Sequence, residues 1–174
     1  MKVIGYKAFK GGLTNKYGAK FEVGSVYEKD PNTLRFGEGG HGYHLASKLA
    51  DTFRFFDPAL DNVYCEVMGF GKIVQEDNYL YDAAPMYVVE KFKITKVLTR
   101  EDIFQYVCQA DVDEFRRFLM LFPFTKEELN LLRDLVVNKE KEYQLLLDAT
   151  KCQQGDIKTF KRSRKYLRDL SIFG

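Results

Sequence analysis

The side chains with the clearest capacity for chemistry lie in one run, Glu38-Gly39-Gly40-His41-Gly42-Tyr43-His44-Leu45-Ala46-Ser47-Lys48, which holds both histidines of the chain. Imidazole is the one side chain whose ordinary titration falls near neutral pH. With both imidazoles on one side of a strand, Tyr43 on the other, and a turn freed by Gly39 and Gly40, the pair would suit an adenine ring or a phosphate. The alternative is a hydrogen-bonded His44 at a strand edge and a solvated His41. No nearby cysteine, histidine or acid completes a recognised zinc spacing, so no metal site is expected. Gly69-Phe70-Gly71 looks like a fragment of a phosphate loop, yet it lies inside an apolar run with no helix start behind it. That context predicts a bulge or a close backbone approach.

A second group of charges lies near the C-terminus. Lys158, Lys161, Arg162, Lys165 and Arg168 recur at intervals of three and four, which makes one basic stripe on a helix. Such a stripe could track the phosphates of a nucleic acid; a solvated cationic face is the commoner outcome, and a protein partner of the helical tail is the other expectation. The cysteines, Cys65, Cys108 and Cys152, are odd in number and far apart, which argues against a disulfide framework or a zinc cluster. Cys65 and Cys108 read as core residues.

These groups need a scaffold, and the composition allows one. At 174 residues, with 45% hydrophobic and 15% aromatic content, the chain can bury a core as one compact domain or as a domain with a helical appendage. Its 27 basic and 25 acidic side chains nearly cancel, so no global field selects nucleic acid or an anionic membrane. Met1-Lys2-Val3-Ile4-Gly5-Tyr6 lacks a secretory apolar core, and no run approaches the roughly 18 apolar residues that span a bilayer. A soluble, cytoplasmic protein without a membrane partner is expected.

The hydrophobic period changes near Thr99. Before it, Val3 to Phe9, Phe21 to Tyr27, Gly42 to Ala46, Val63 to Val74 and Met86 to Leu98 are rich in Val, Ile, Tyr and Phe and read as strands. One amphipathic helix interrupts them, with Leu49, Ala50, Phe53 and Phe56 at helical spacing, Ser47 placed to cap it and Asp57-Pro58 ending it. After Thr99, three stretches each set a capping oxygen three residues ahead of an acid: Thr99 with Asp102, Asp111 with Glu114, and Thr125 with Glu128. Pro123 separates the second helix from the third. A fourth is expected from about Asp156 to Leu170, after a break at Gln153-Gln154-Gly155. The outline is α+β: a β-rich module over residues 1–98 and an α-helical C-terminal module over residues 99–174.

The segments Gly42-Tyr43-His44-Leu45-Ala46, Ser47 to Phe56, Cys65-Glu66-Val67-Met68-Gly69 and Met86-Tyr87-Val88-Val89-Glu90 follow one another in an order that resembles the ADP-ribosyltransferase superfamily. The branch most alike includes the poly(ADP-ribose) polymerases. Lys7-Ala8-Phe9 and Glu22-Val23-Gly24-Ser25-Val26-Tyr27 are also similar to a group of bacterial and phage-borne domains. The resemblance implies a split β-sheet over roughly residues 3–98 and a cleft for NAD lined by Tyr6, Lys7, Tyr43, His44 and Ser47. It also marks a departure. Active relatives carry a glutamate near the start of a late strand, where this chain has Ala84 or Pro85, and Asp82 or Glu90 are the substitutes within reach.

A missing carboxylate removes electrostatic stabilisation worth several kcal/mol of barrier. The resemblance therefore implies a catalytically silent binding or interaction module. The alternative is a mono-ADP-ribosyltransferase that uses NAD with Asp82 or Glu90 as a non-standard acid.

Overall fold

The computed structural model describes residues 1–36, 41–76 and 85–155. The β-branched and aromatic runs form β1 (Lys2–Lys10), β2 (Val26–Glu28), β3 (Tyr43–Ala46), β4 (Asn62–Glu76) and β5 (Met86–Val97). Four helices follow: α1 (Arg100–Gln109), α2 (Val112–Leu121), α3 (Lys126–Val136) and α4 (Glu140–Gly155). The chain is thus α+β, an antiparallel five-stranded sheet followed by C-terminal helices. It divides into two compact units, Met1–Phe56 with Leu60–Leu98, and Asp57–Ala59 with the helices from Thr99 onward.

The strand order is β2-β5-β3-β1-β4, and β4 also pairs with β5, so four of the strands close into a ring and β2 extends β5. Phe9, Leu45, Cys65, Val67, Val89, Phe92 and Ile94 are buried together and with Phe21 form the core. Phe21 meets Tyr27 and Phe92 edge-on, at centroid distances of 4.8 and 5.5 Å. The ring closes narrowly. β1 and β3 share one aligned pair, Tyr6 with Ala46, against nine between β1 and β4. A Cβ on Gly5 would stand 2.8 Å from the Ala46 carbonyl oxygen and 3.3 Å from the Leu45 Cβ, so glycine is what lets these strands meet.

The expected break at Gly69-Phe70-Gly71 is a bulge. Phe70 pairs with Lys91 and Ile73 with Val89, leaving Gly71 and Lys72 opposite Glu90 alone, and Gly71 has a φ of 80°. The expected strand over Phe21 to Tyr27 is shorter: only Val26–Glu28 forms a ladder, because Gly24 turns the chain at φ 82° and Val23 makes an isolated parallel bridge to Ile94.

The amphipathic segment after β3 corrects the sequence reading. It is a 3₁₀ helix over Leu49–Arg54 with Lys48 at the N-cap and no side-chain cap bond, so Ser47 does not cap it. Two causes are visible. The Thr52 hydroxyl donates back to the Leu49 carbonyl at 2.7 Å, and Asp57-Pro58 stops the chain before a longer helix can develop. The helix still buries Leu49, Ala50 and Phe53, and Phe53 packs edge-on against Tyr64 at 5.1 Å. Tyr64 in turn donates its hydroxyl to the Phe56 carbonyl at 2.7 Å.

In the helical unit all three expected starts are present. Thr99 and Asp102 form a reciprocal capping box, as do Thr125 and Glu128, and the Asp111 carboxylate accepts the Glu114 amide at 2.9 Å. Ile103, Val107, Phe115, Phe118, Leu129, Leu132, Val136 and Leu146 are buried. The expected break at Gln153-Gln154 is not one, since α4 runs through it to Gly155. The helix expected over Asp156 to Leu170, with the stripe Lys158, Lys161, Arg162, Lys165 and Arg168, lies outside the described residues. Cys65 is fully buried as expected, whereas Cys108, near the end of α1, is only half-buried. Among the described residues no helix is long and apolar enough to cross a membrane.

Candidate functional site

The narrow junction of β1 and β3 gathers four of the residues singled out by sequence. Lys7 stands opposite Cys65 and two residues from Phe9, so its side chain starts on the core face. The ladder lapses after the Tyr6–Ala46 pair, and the Lys7 ammonium donates to the His44 carbonyl at 3.0 Å, supplying a bond that the backbone of β1 does not. Lys7 is half-buried as a residue, and burial of its ammonium lowers the pKa to about 8.

His44 projects from β3 on the side opposite Tyr43 and Leu45, with its ring edge-on to Phe36 at 5.8 Å. Burial, then the positive charges of Lys7 and Lys16, hold its pKa down to about 4, so the imidazole is neutral at neutral pH. Tyr43 faces the core, 4.4 Å from the Phe92 ring centroid. Burial, then neighbouring Tyr27, raises its pKa. Ser47 donates its backbone N–H to the Pro85 carbonyl at 3.3 Å, and its hydroxyl oxygen is buried without a hydrogen-bond partner among the described residues.

Four of the five residues expected to hold NAD fall on two faces, and Ser47 follows the end of β3. Lys7 and Tyr43 belong to the core side of the ring; Tyr6, aligned with Ala46, and His44 belong to the other. Their convergence is at the junction itself, through the Lys7 bond to the His44 main chain. His41 does not join His44. A separation of three residues inverts the face along extended chain, and His41 lies before β3, exposed and bridged to Leu34.

Of the two candidate acids, Glu90 is engaged by its own strand pair. Glu90 accepts the Lys72 amide at 2.8 Å and pairs with Lys91 at 3.4 Å. The Lys72 hydrogen bond, ahead of the Lys91 contacts, holds its carboxyl below the ordinary range. A Cβ on Gly71 would come within 2.6 Å of its Oε2, which shows how closely this carboxylate lies over the bulge. Asp82 lies outside the described residues, as does Glu38-Gly39-Gly40. Two members of the site escaped sequence reading, Lys16 in the loop after β1 and Phe36 ahead of the histidines. The only local hint was an aromatic and a cation near the His-bearing run, a signal too common to single out. No group of acids, histidines and cysteines able to hold a metal ion occurs among the described residues.

Residues 3–105 match the model of a family described as a domain of unknown function, DUF7666. No curated protein and no solved structure matches the chain.

Proposed function

We propose that this chain, which belongs to the DUF7666 family, is a binding module on an ADP-ribosyltransferase-like scaffold that does not turn NAD over. The observation that carries the reading is the commitment of Glu90. Its carboxylate holds the Lys72 amide over the Gly71 bulge and pairs with Lys91, so it serves the strand and not a ribose. The junction chemistry agrees with binding. Neither Lys7 nor His44 bonds a carboxylate among the described residues, so none of the described acids accompanies them as general base or oxocarbenium stabiliser. The order of the segments, from the opening strand through the His44 strand to the Gly-kinked strand, supports the scaffold assignment.

Incubation with NAD, followed by chromatography for free nicotinamide and by detection of ADP-ribose on the protein, tests this reading. Neither product is expected above the protein-free control. Nicotinamide release that disappears in Glu90→Gln or Asp82→Asn would overturn it and establish the transferase alternative.

A further inference from the structure

α3 has two apolar sides, and the helices around it bury one of them. Leu129, Leu132 and Val136 are buried, whereas Leu131 and Leu135, one turn apart, are 55% and 57% exposed. The exposed pair has acidic company. Glu127 stands one turn before Leu131 and Asp134 three residues after it, both exposed. Residues 99–155 as a whole hold eleven acidic side chains against eight basic ones.

The stretch that follows Gly155 has the complementary make-up. Residues 156–174 lie outside the described residues, and their sequence holds six basic and two acidic side chains. At helical spacing Ile157, Phe160, Leu167 and Leu170 share one side, with Arg164 and Arg168 along its border. The stretch continues from α4, which itself packs on α3. Its nineteen residues could span roughly 60 Å when extended, against about 24 Å for the length of α4, so the two leucines lie within its reach.

We propose that residues 156–174 dock in cis on the side of α3 that carries Leu131 and Leu135. The apolar residues of the stretch cover the leucines, and its arginines lie beside Glu127 and Asp134. The occupant is the chain's own tail because tether, charge and apolar spacing coincide there, and the tether supplies a high effective concentration. The proposal concerns the helical unit and stands apart from the reading of the sheet as a binding module.

Hydrogen exchange of the full chain, read amide by amide by NMR, tests it. Amides between Ile157 and Leu170 should be protected to the same degree at every protein concentration. Leu131→Asp with Leu135→Asp should lower that protection about tenfold or more. Leu60→Asp, an exposed leucine of the other unit, should leave it unchanged. Glu127→Lys with Asp134→Lys should lower it several-fold, and Arg164→Glu with Arg168→Glu in that background should restore part of the loss.

A tail that exchanges like unfolded chain, or protection that survives Leu131→Asp with Leu135→Asp, would overturn the proposal. Protection that grows with protein concentration would overturn it in favour of a second copy, and protection that appears only after a DNA duplex is added would overturn it in favour of a nucleic-acid contact. Should the Leu131 and Leu135 variant fail to fold, Phe160→Asp with Leu167→Asp decides from the tail side. Unchanged protection of the remaining tail amides there overturns the proposal equally.

Discussion

Lys7 is where local chemistry and stability pull in opposite directions. Its ammonium supplies the His44 carbonyl with a donor, yet burial disfavours its charge and no acid among the described residues bonds it. At neutral pH, Lys7→Met should leave the unfolding free energy within about 1 kcal/mol of wild type or raise it, because the lost hydrogen bond and the relieved desolvation oppose each other. The difference should depend on pH with a definite sign. The folded-state pKa of about 8 lies below the ordinary lysine value of 10.5. Between those values the unfolded chain binds more protons than the folded one, and wild type gains stability as pH rises. Wild type should therefore improve relative to Lys7→Met across that window, as urea denaturation at a series of pH values would show. Gly5→Ala is the steric counterpart. Its new methyl meets the Ala46 carbonyl at 2.8 Å, so the junction must shift, and a loss of about 1–3 kcal/mol is expected from the same measurement.

Among the elements, helix starts and the bulge were the most legible features because their chemistry is local. A Thr or Asp three residues ahead of an acid satisfies free amides wherever the helix later packs, and Thr99, Asp111 and Thr125 all do so. Thr125→Ala should cost the helical unit about 1 kcal/mol in chemical denaturation. Glu128 loses its cap partner in that variant but keeps Arg100, whose Nε and Nη2 each reach its carboxylate at 2.7 Å. The Gly69-Phe70-Gly71 bulge was equally readable, since glycine inside a strand has few other uses. Gly71→Ala combines a φ of 80° with a clash against Glu90, and a loss of about 1–3 kcal/mol is expected.

What the sequence concealed depended on distance. Ser47 looks like a cap and is not, because the hydroxyl of Thr52 and the stop at Asp57-Pro58 select a 3₁₀ helix that begins after Lys48. Tyr6, Lys7, Tyr43 and His44 were identifiable as residue types, but their split across two faces follows from the register of β1 and β3, which no single segment encodes. The structural use of Glu90 was hidden for the same reason, since its partner Lys72 comes from another strand. α4 was missed where Gln153-Gln154-Gly155 was read as a break, although glutamine is a good helix former and only the glycine marks an end.

At the scale of the whole molecule, acid should act through His44. Its pKa of about 4 lies below the ordinary histidine value of 6.5. As pH falls through that interval the unfolded chain takes up a proton that the folded chain refuses, and stability declines. Melting temperatures measured from pH 7 to 4 should fall more steeply for wild type than for His44→Gln, and parallel curves would remove His44 as the cause.

The closed ring also imposes an order in time. β1 finds its long partner only between Lys10 with Asn62 and Lys2 with Phe70, roughly fifty to seventy residues further along the chain, while the capped helices are built from contacts between close neighbours. On a ribosome the opening strand must therefore wait, its amides unclaimed, until the Gly-kinked strand has left the exit tunnel. During that delay it can be captured by a foreign strand, a hazard that the helices do not share.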